Sequence, residues 1–323
     1  MSPSKTAQKS SSASFRRAAI ILISGFIALL FFKNSDAAAK FVSRGATLCI
    51  EKLIPSLFPF LVISSLLVSS GLDKPLGRTL GKPLAIILGI SAEGACAVIL
   101  GFICGFPVGA KCACGLMREG KISRAECERL LAVCSIPSPA FVIGVLGEDI
   151  LGSRADGYRL WGSCAACALI VGLLLRFISP LPKRSALAPK SEREYKSFGS
   201  LLTSAVKDGA KSMLYVCAFV IFFSSFLGAL DAVLSPLSLG KTAEAILFGF
   251  FELTSGAMRI SDTAPDLRFA LCALAAGWSG LSVHFQTMAI CSDEDIKFTP
   301  YLISHAVRAV IGLLVSVVLG YIL

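Results

Sequence analysis

Apolar runs that stop in mid-course, twice over and in the same order, constrain this chain more than any other feature. The first is Gly101-Phe102-Ile103-Cys104-Gly105-Phe106-Pro107-Val108-Gly109-Ala110-Lys111, and the second is Gly249-Phe250-Phe251-Glu252-Leu253-Thr254-Ser255-Gly256-Ala257. Each is followed by another interruption: Ser135-Ile136-Pro137-Ser138-Pro139 in the first half, and Gly277-Trp278-Ser279-Gly280-Leu281-Ser282-Val283-His284-Phe285-Gln286 in the second. A helix that ends inside hydrocarbon leaves unpaired backbone groups costing several kcal/mol each. Such breaks persist only where protein or a water-filled cavity receives them. Paired breaks therefore point to a site.

The surrounding composition puts those breaks in a membrane. Of 323 residues, 55% are hydrophobic and only 16% charged, with a mean hydropathy of +0.76; ordinary soluble domains carry about 25% charged residues. The expected fold is an all-α polytopic membrane protein. The net charge of +10 does not indicate nucleic acid, because the basic residues stand beside apolar segments rather than along one face with interleaved aromatics. Lys5, Lys9, Arg16 and Arg17 precede the first apolar run, and Lys183, Arg184, Lys190, Arg193 and Lys196 fill the centre of the chain. The positive-inside rule places both regions in the cytoplasm, the N-terminus included. The run from Ala18 to Phe32 reads as an uncleaved first helix. A signal-peptide core is the alternative, since small residues follow at Ala37-Ala38-Ala39.

The chain divides into a disordered basic tail (residues 1–15), a transmembrane helix (16–35), a first repeat (36–178), a basic cytoplasmic linker (179–199) and a second repeat (200–323). Within the first repeat, residues 36–52 form an amphipathic stretch suited to the membrane interface. Several apolar runs fall short of the ~20 residues of a full span or are cut by Pro and Gly, which predicts half-helices and re-entrant hairpins. The repeats align in four ordered blocks, among them Gly105-Phe106-Pro107-Val108-Gly109-Ala110 with Glu252-Leu253-Thr254-Ser255-Gly256-Ala257. One begins outside and the other inside, so they are expected to be inverted.

Candidate binding residues cluster at the breaks. Gly101, Gly105 and Gly109 form a small-residue ridge that lets another backbone approach, and Pro107 ends it. Lys111 is the nearest basic side chain, able to bind a polar group or simply to snorkel to the interface. Glu93, behind Ser91, either complements the start of its helix or binds a ligand. Glu252 lies at membrane depth, where an ionisable group is a functional candidate; Ser138 and Ser255 flank the breaks. On an unwound segment Ser282, His284 and Gln286 would point one way, and Trp278 could stack on a planar ring. A ligand-free hydrogen-bond network is the plainer reading. With two histidines and no acidic cluster, neither a metal nor a cofactor is expected. The cysteines read as packing residues. Walker, dinucleotide and nucleophile-elbow motifs are lacking, so no enzyme is expected.

Pro55-Ser56-Leu57-Phe58-Pro59-Phe60, Glu93-Gly94-Ala95, Gly105 to Lys111 and Gly277 to His284 together resemble the sporulation integral membrane protein family called YlbJ. That family carries the nucleoside-recognition, or Gate, domain, also found in concentrative nucleoside transporters and in the membrane part of ferrous-iron transporters. The resemblance covers nearly all of the chain after the first helix. It implies a multi-pass protein of the bacterial inner membrane serving spore-envelope formation, with two Gate-like repeats and a transport-like fold. Pro59, Glu93, Gly105, Pro107, Gly109, Lys111, Trp278, Ser282, His284 and Gln286 fall on family motifs. Ser135 to Pro139 is less polar than the family pattern, which has Asn or Thr before the Pro, so substrate identity does not carry over. The expectation is a secondary transporter or permease for a small polar solute, nucleoside-like in one version, with lipid around it and no nucleic acid. A homo-oligomer or contacts with other membrane proteins fit the same sequence. The alternative is a non-transporting scaffold in envelope assembly.

Overall fold

The computed structural model describes residues 5–181 and 197–322, which form helices with no strand among them. Lys183, Arg184, Lys190, Arg193 and Lys196 of the expected linker lie outside the described residues. Helix α1 spans Lys5–Lys33. Residues 5–15 of the expected disordered tail are thus helical, since neither Pro nor Gly stands in the way once the apolar part has nucleated the helix.

Helix α2 (Ser35–Leu48) continues through a π-helical turn (Cys49–Leu53) into α3 (Ile54–Ser70), one run of 36 residues. It lies along α10 (Phe198–Leu234), the longest helix. The expected interfacial stretch is therefore helical, continuous with α3, and packed on α10. Its small residues explain this: a Cβ on Gly45 would stand 3.2 Å from Ile221 and Ser224, so the backbones meet there with almost no side chain between them.

Short helices α4 (Asp73–Thr79) and α5 (Lys82–Leu88) lead to α6 (Ala92–Cys104), which leaves α5 at 105° after Gly89, itself at φ +62. Then come α7 (Val108–Arg118), α8 (Arg124–Cys134), a π-helical segment (Ala140–Ile150) and α9 (Arg154–Ile178). After α10 the second half runs α11 (Lys241–Phe251), α12 (Leu253–Ile260), α13 (Pro265–Trp278), α14 (Leu281–Ile290) and α15 (Thr299–Ile322). The order is the same in each half: a broken pair, a second broken pair, then an unbroken long helix.

Among the described residues, four helices are long and apolar enough to cross a membrane, or five with the bent α5–α6 pair counted as one. Outward-facing Leu214, Phe177, Ile178, Ile303 and Leu314 give the bundle an apolar exterior. Polarity inside and apolar surface outside is the arrangement a lipid solvent requires.

Salt bridges show which ends lie together. Arg118 pairs with Glu294 at 3.4 Å, Arg124 with Asp295, and Lys211 in the N-terminal half of α10 with Asp293 at 3.7 Å. The α7–α8 and α14–α15 turns therefore share the side where the linker attaches. At the far end of α10, Asp231 meets Arg259 at 2.6 Å, and Arg259 also holds Glu244 at 3.0 Å. The α11–α12 pair therefore opens to the opposite side. Cys114 of α7 and Cys291, just after α14, form a disulfide across the two halves, with Cα atoms 6.1 Å apart. This corrects the packing role expected for Cys114. Both thiols are fully buried where the halves meet, a proximity that 177 residues of separation conceal.

Candidate functional site

The two first breaks are hairpin apices. In α6–α7 the chain reverses at Gly105 (φ +77) and a cis Phe106–Pro107 bond. A Cβ built on Gly109 would lie 2.7 Å from the Cα of Gly101, so the two limbs touch backbone to backbone. The small-residue ridge thus receives its own returning limb and, closer still, the Cys134 carbonyl at the end of α8, which a Cβ on Gly101 would meet at 2.1 Å. In α11–α12 the same contact is made by Gly249 and Gly256, at 2.2 Å on the same measure.

Each apex rests on the second break of its own half. Phe106 N–H donates to the Ile136 carbonyl at 2.8 Å, and a Cβ on Gly105 would reach the Ser138 nitrogen at 2.4 Å. In the second half, a Cβ on Gly280 (φ +83) would lie 2.9 Å from the Leu253 nitrogen and 3.3 Å from the Glu252 Cα. In the first half a backbone group freed by one break is thus met by the other, and in the second half the two breaks approach backbone to backbone.

The expected binding side chains are largely committed within the fold. Glu252 caps α12, its carboxylate accepting from Thr254 N–H at 2.9 Å and Ser255 N–H at 2.7 Å. Its negative charge is met by the positive end of the helix it starts. Ser138 caps the π-helical segment, accepting from Phe141 N–H at 3.3 Å. Lys111 neither snorkels nor faces the break. Buried on α7, it donates to the Asp208 carbonyl and Ser212 Oγ, both at 2.8 Å, and pairs with the Asp208 carboxylate at 3.0 Å. Glu93 sits in the first turn of α6 at the end remote from the break, 3.8 Å from Lys74.

The second-half patch is helical rather than unwound, which redirects its side chains. Ser282 and Gln286 lie one turn apart on α14 and bond to each other at 3.1 Å. His284 turns away from them, its Nδ1 3.0 Å from Tyr301 Oη, which donates to Thr287 Oγ1 at 3.3 Å. Trp278 stacks on Phe250 with centroids 5.3 Å apart, donates Nε1–H to the Phe250 carbonyl at 2.9 Å, and meets His284 edge-on at 4.5 Å. Phe250 thus occupies the stacking face expected for a ligand.

Unsatisfied polarity gathers elsewhere. Of eight buried side-chain polar atoms without a hydrogen-bond partner among the described residues, six belong to Ser135, His284, His305 and Arg308. His305 lies 4.8 Å from the His284 ring and 4.4 Å from the Tyr301 ring, and Arg308 follows one turn later on α15. Arg308 lines a cavity of about 10 Å³ together with Ile136 and Pro137 of the first half and Ala276 and Gly277 of the second. The second breaks of the two halves meet at this cavity, with Cys164 and Cys167 of α9 closing one wall. Arg308 and His305 were not among the expected site residues. An Arg within the apolar run that ends the chain was the available signal, since charged groups at membrane depth are rare and tend to be functional.

Fold and site together define an all-α, multi-pass membrane protein built around two sets of broken helices. The chain is similar to "Sporulation integral membrane protein YlbJ" of Bacillus subtilis (strain 168), 27% identical over 318 residues, with 88% of this chain and 78% of that protein covered. This similarity supports the YlbJ family resemblance carried by the motifs. No family model matches the chain. No solved structure matches it.

Proposed function

We propose that the protein is a permease for a small polar solute and that it serves spore-envelope formation. The observation that carries this reading is the meeting of the second breaks of both halves at one buried polar centre. In transporters built from inverted repeats, discontinuous helices surround the substrate near the bilayer midplane, and one repeat moves against the other. The α6–α7 hairpin opens to one side and the α11–α12 hairpin to the other, which supports a pseudo-twofold axis in the membrane plane. The sporulation role is drawn from the name of the similar protein, and a nucleoside-like cargo from the Gate resemblance. The reading requires no covalent chemistry.

Purified protein in liposomes tests it with labelled uridine and a panel of small polar solutes. Uptake by wild type that falls at least tenfold in Gly280→Leu, which would force the α12 and α14 ends apart, supports a permease. One observation favours the scaffold reading instead: Lys111, Glu252 and Trp278 are all committed to partners inside the fold. Normal spore formation with His284→Ala, together with no uptake of any solute, would decide for the scaffold.

A further inference from the structure

Arg308 is 3% exposed, and its Nε and Nη2 have no hydrogen-bond partner. The titratable groups that act on it are Tyr301, Cys164, Cys134 and Cys167, with His284 and His305 also within its field, and none of these is a carboxylate. The two other Lys or Arg side chains buried among the described residues have acceptors: Lys111 has Asp208 and Ser212, and Arg129 has the carbonyls of Leu88, Leu175 and Ser179. A buried cation without a partner is strongly unfavourable, by several kcal/mol, and persists where something neutralises it. The guanidinium fork faces a cavity whose walls are otherwise apolar or weakly polar: Ile136, Pro137, Cys164, Ala276 and Gly277. The buried ring of His305 lies one turn away, and the buried Ser135 directly precedes Ile136.

We infer that Arg308 is the receptor for the negatively charged group of the solute: a carboxylate or phosphate oxyanion, bound two-pronged between the halves. Guanidinium geometry matches two oxygens of such a group, which neutral sugars or bases do not supply. At about 10 Å³ the cavity has room for roughly one water, so an oxyanion fits only if the two second breaks separate. The inference deepens the permease reading and rests on it for the ligand's passage, though not for its binding.

Thermal unfolding of the full chain in detergent, titrated with inorganic phosphate and with acetate against chloride at matched ionic strength, tests the site. Wild type is expected to show a saturable rise in midpoint with at least one oxyanion. Arg308→Lys should weaken the apparent affinity at least tenfold, and Arg308→Met should abolish the rise. Arg308→Met without anion should unfold no lower than wild type, because it removes an unpaired buried charge. Should that variant fail to fold, the inference is overturned on this point, and Ser163→Leu gives an independent check by filling the cavity while keeping the charge. It should also abolish the rise. Equal shifts in wild type and all three variants, no shift with either oxyanion, or stabilisation only in nanodiscs of anionic lipid would overturn a small-solute site. Uptake of neutral uridine at an unchanged rate in Arg308→Met would sink the inference and leave the permease standing. Saturable oxyanion binding without uptake of any solute would do the reverse.

Discussion

At the scale of single residues, burial decides what a charge is for. Lys111 and Asp208 form a pair that is closed on one side only, with the lysine 3% and the aspartate 41% exposed. Removing the aspartate side chain leaves a buried cation with only neutral acceptors, the carbonyl of residue 208 and Ser212 Oγ, whereas removing the lysine leaves an anion that water can reach. Asp208→Ala should therefore cost about 3 kcal/mol or more of stability and Lys111→Met about 1–2 kcal/mol, read from unfolding midpoints in detergent. Glu252 answers a different need. As the cap of α12 it accepts two backbone N–H groups, so Glu252→Ala should cost about 1 kcal/mol and Glu252→Ser should recover most of it by the same measurement. If Glu252→Ser is as damaging as Glu252→Ala, the carboxylate has a role beyond capping. The sequence placed Glu252 correctly at a break, because a carboxylate among Phe248, Phe251 and Leu253 is conspicuous. It did not show that the carboxylate is spent on the helix it starts, since that depends on the extended backbone at φ −147.

At the scale of elements, glycine spacing was the most legible signal, and its partner was the least. Gly101 and Gly109 announce a close backbone approach. The nearest approaching backbone is the Cys134 carbonyl at the end of α8, 2.1 Å from a Cβ on Gly101 and 2.6 Å from one on Gly109, with the other limb of the hairpin next at Gly109; neither neighbour follows until the reversal at Gly105 and the placing of α8 are known. The same logic applies to Gly249 and Gly256. Gly256→Ala should splay the second hairpin, since its Cβ would meet Gly249 Cα at 2.2 Å and the backbone has nowhere to yield. Gly115→Ala is the control: the nearest atom is a Val68 methyl at 3.5 Å, and alanine favours the helix by up to about 1 kcal/mol. The two variants should move the unfolding midpoint in opposite directions. Helix boundaries misled in one place. Ser282, His284 and Gln286 alternate like a strand, but Gly280 at φ +83 resets the chain, so α14 begins at once and turns His284 away from Ser282 and Gln286, which stay together.

At the scale of the whole molecule, the order of broken elements could be read from the sequence, and their meeting point could not. The breaks carry their own marks in Pro107, Pro137, Gly277 and Gly280. Arg308 is distant from all of them in sequence, and three-dimensional packing alone brings it to the junction of Pro137 and Gly277. The opposed hairpins make a topological prediction. Glu119→Cys and Asp293→Cys should react with a membrane-impermeant thiol reagent from the side of the linker, and Glu148→Cys and Asp262→Cys from the opposite side. Labelling of all four from one face would exclude opposed hairpins.

The junction itself can be probed through two native thiols, because Cys164 and Cys167 line the Arg308 cavity. Mass spectrometry can follow their alkylation by a small methanethiosulfonate in native membranes, cysteine by cysteine. If two halves open and close around Arg308, both thiols should react slowly, more slowly still with a bound oxyanion, and hardly at all in Ser163→Leu. Thiols that react only after denaturation would show a sealed core instead of a site, and would contradict the account.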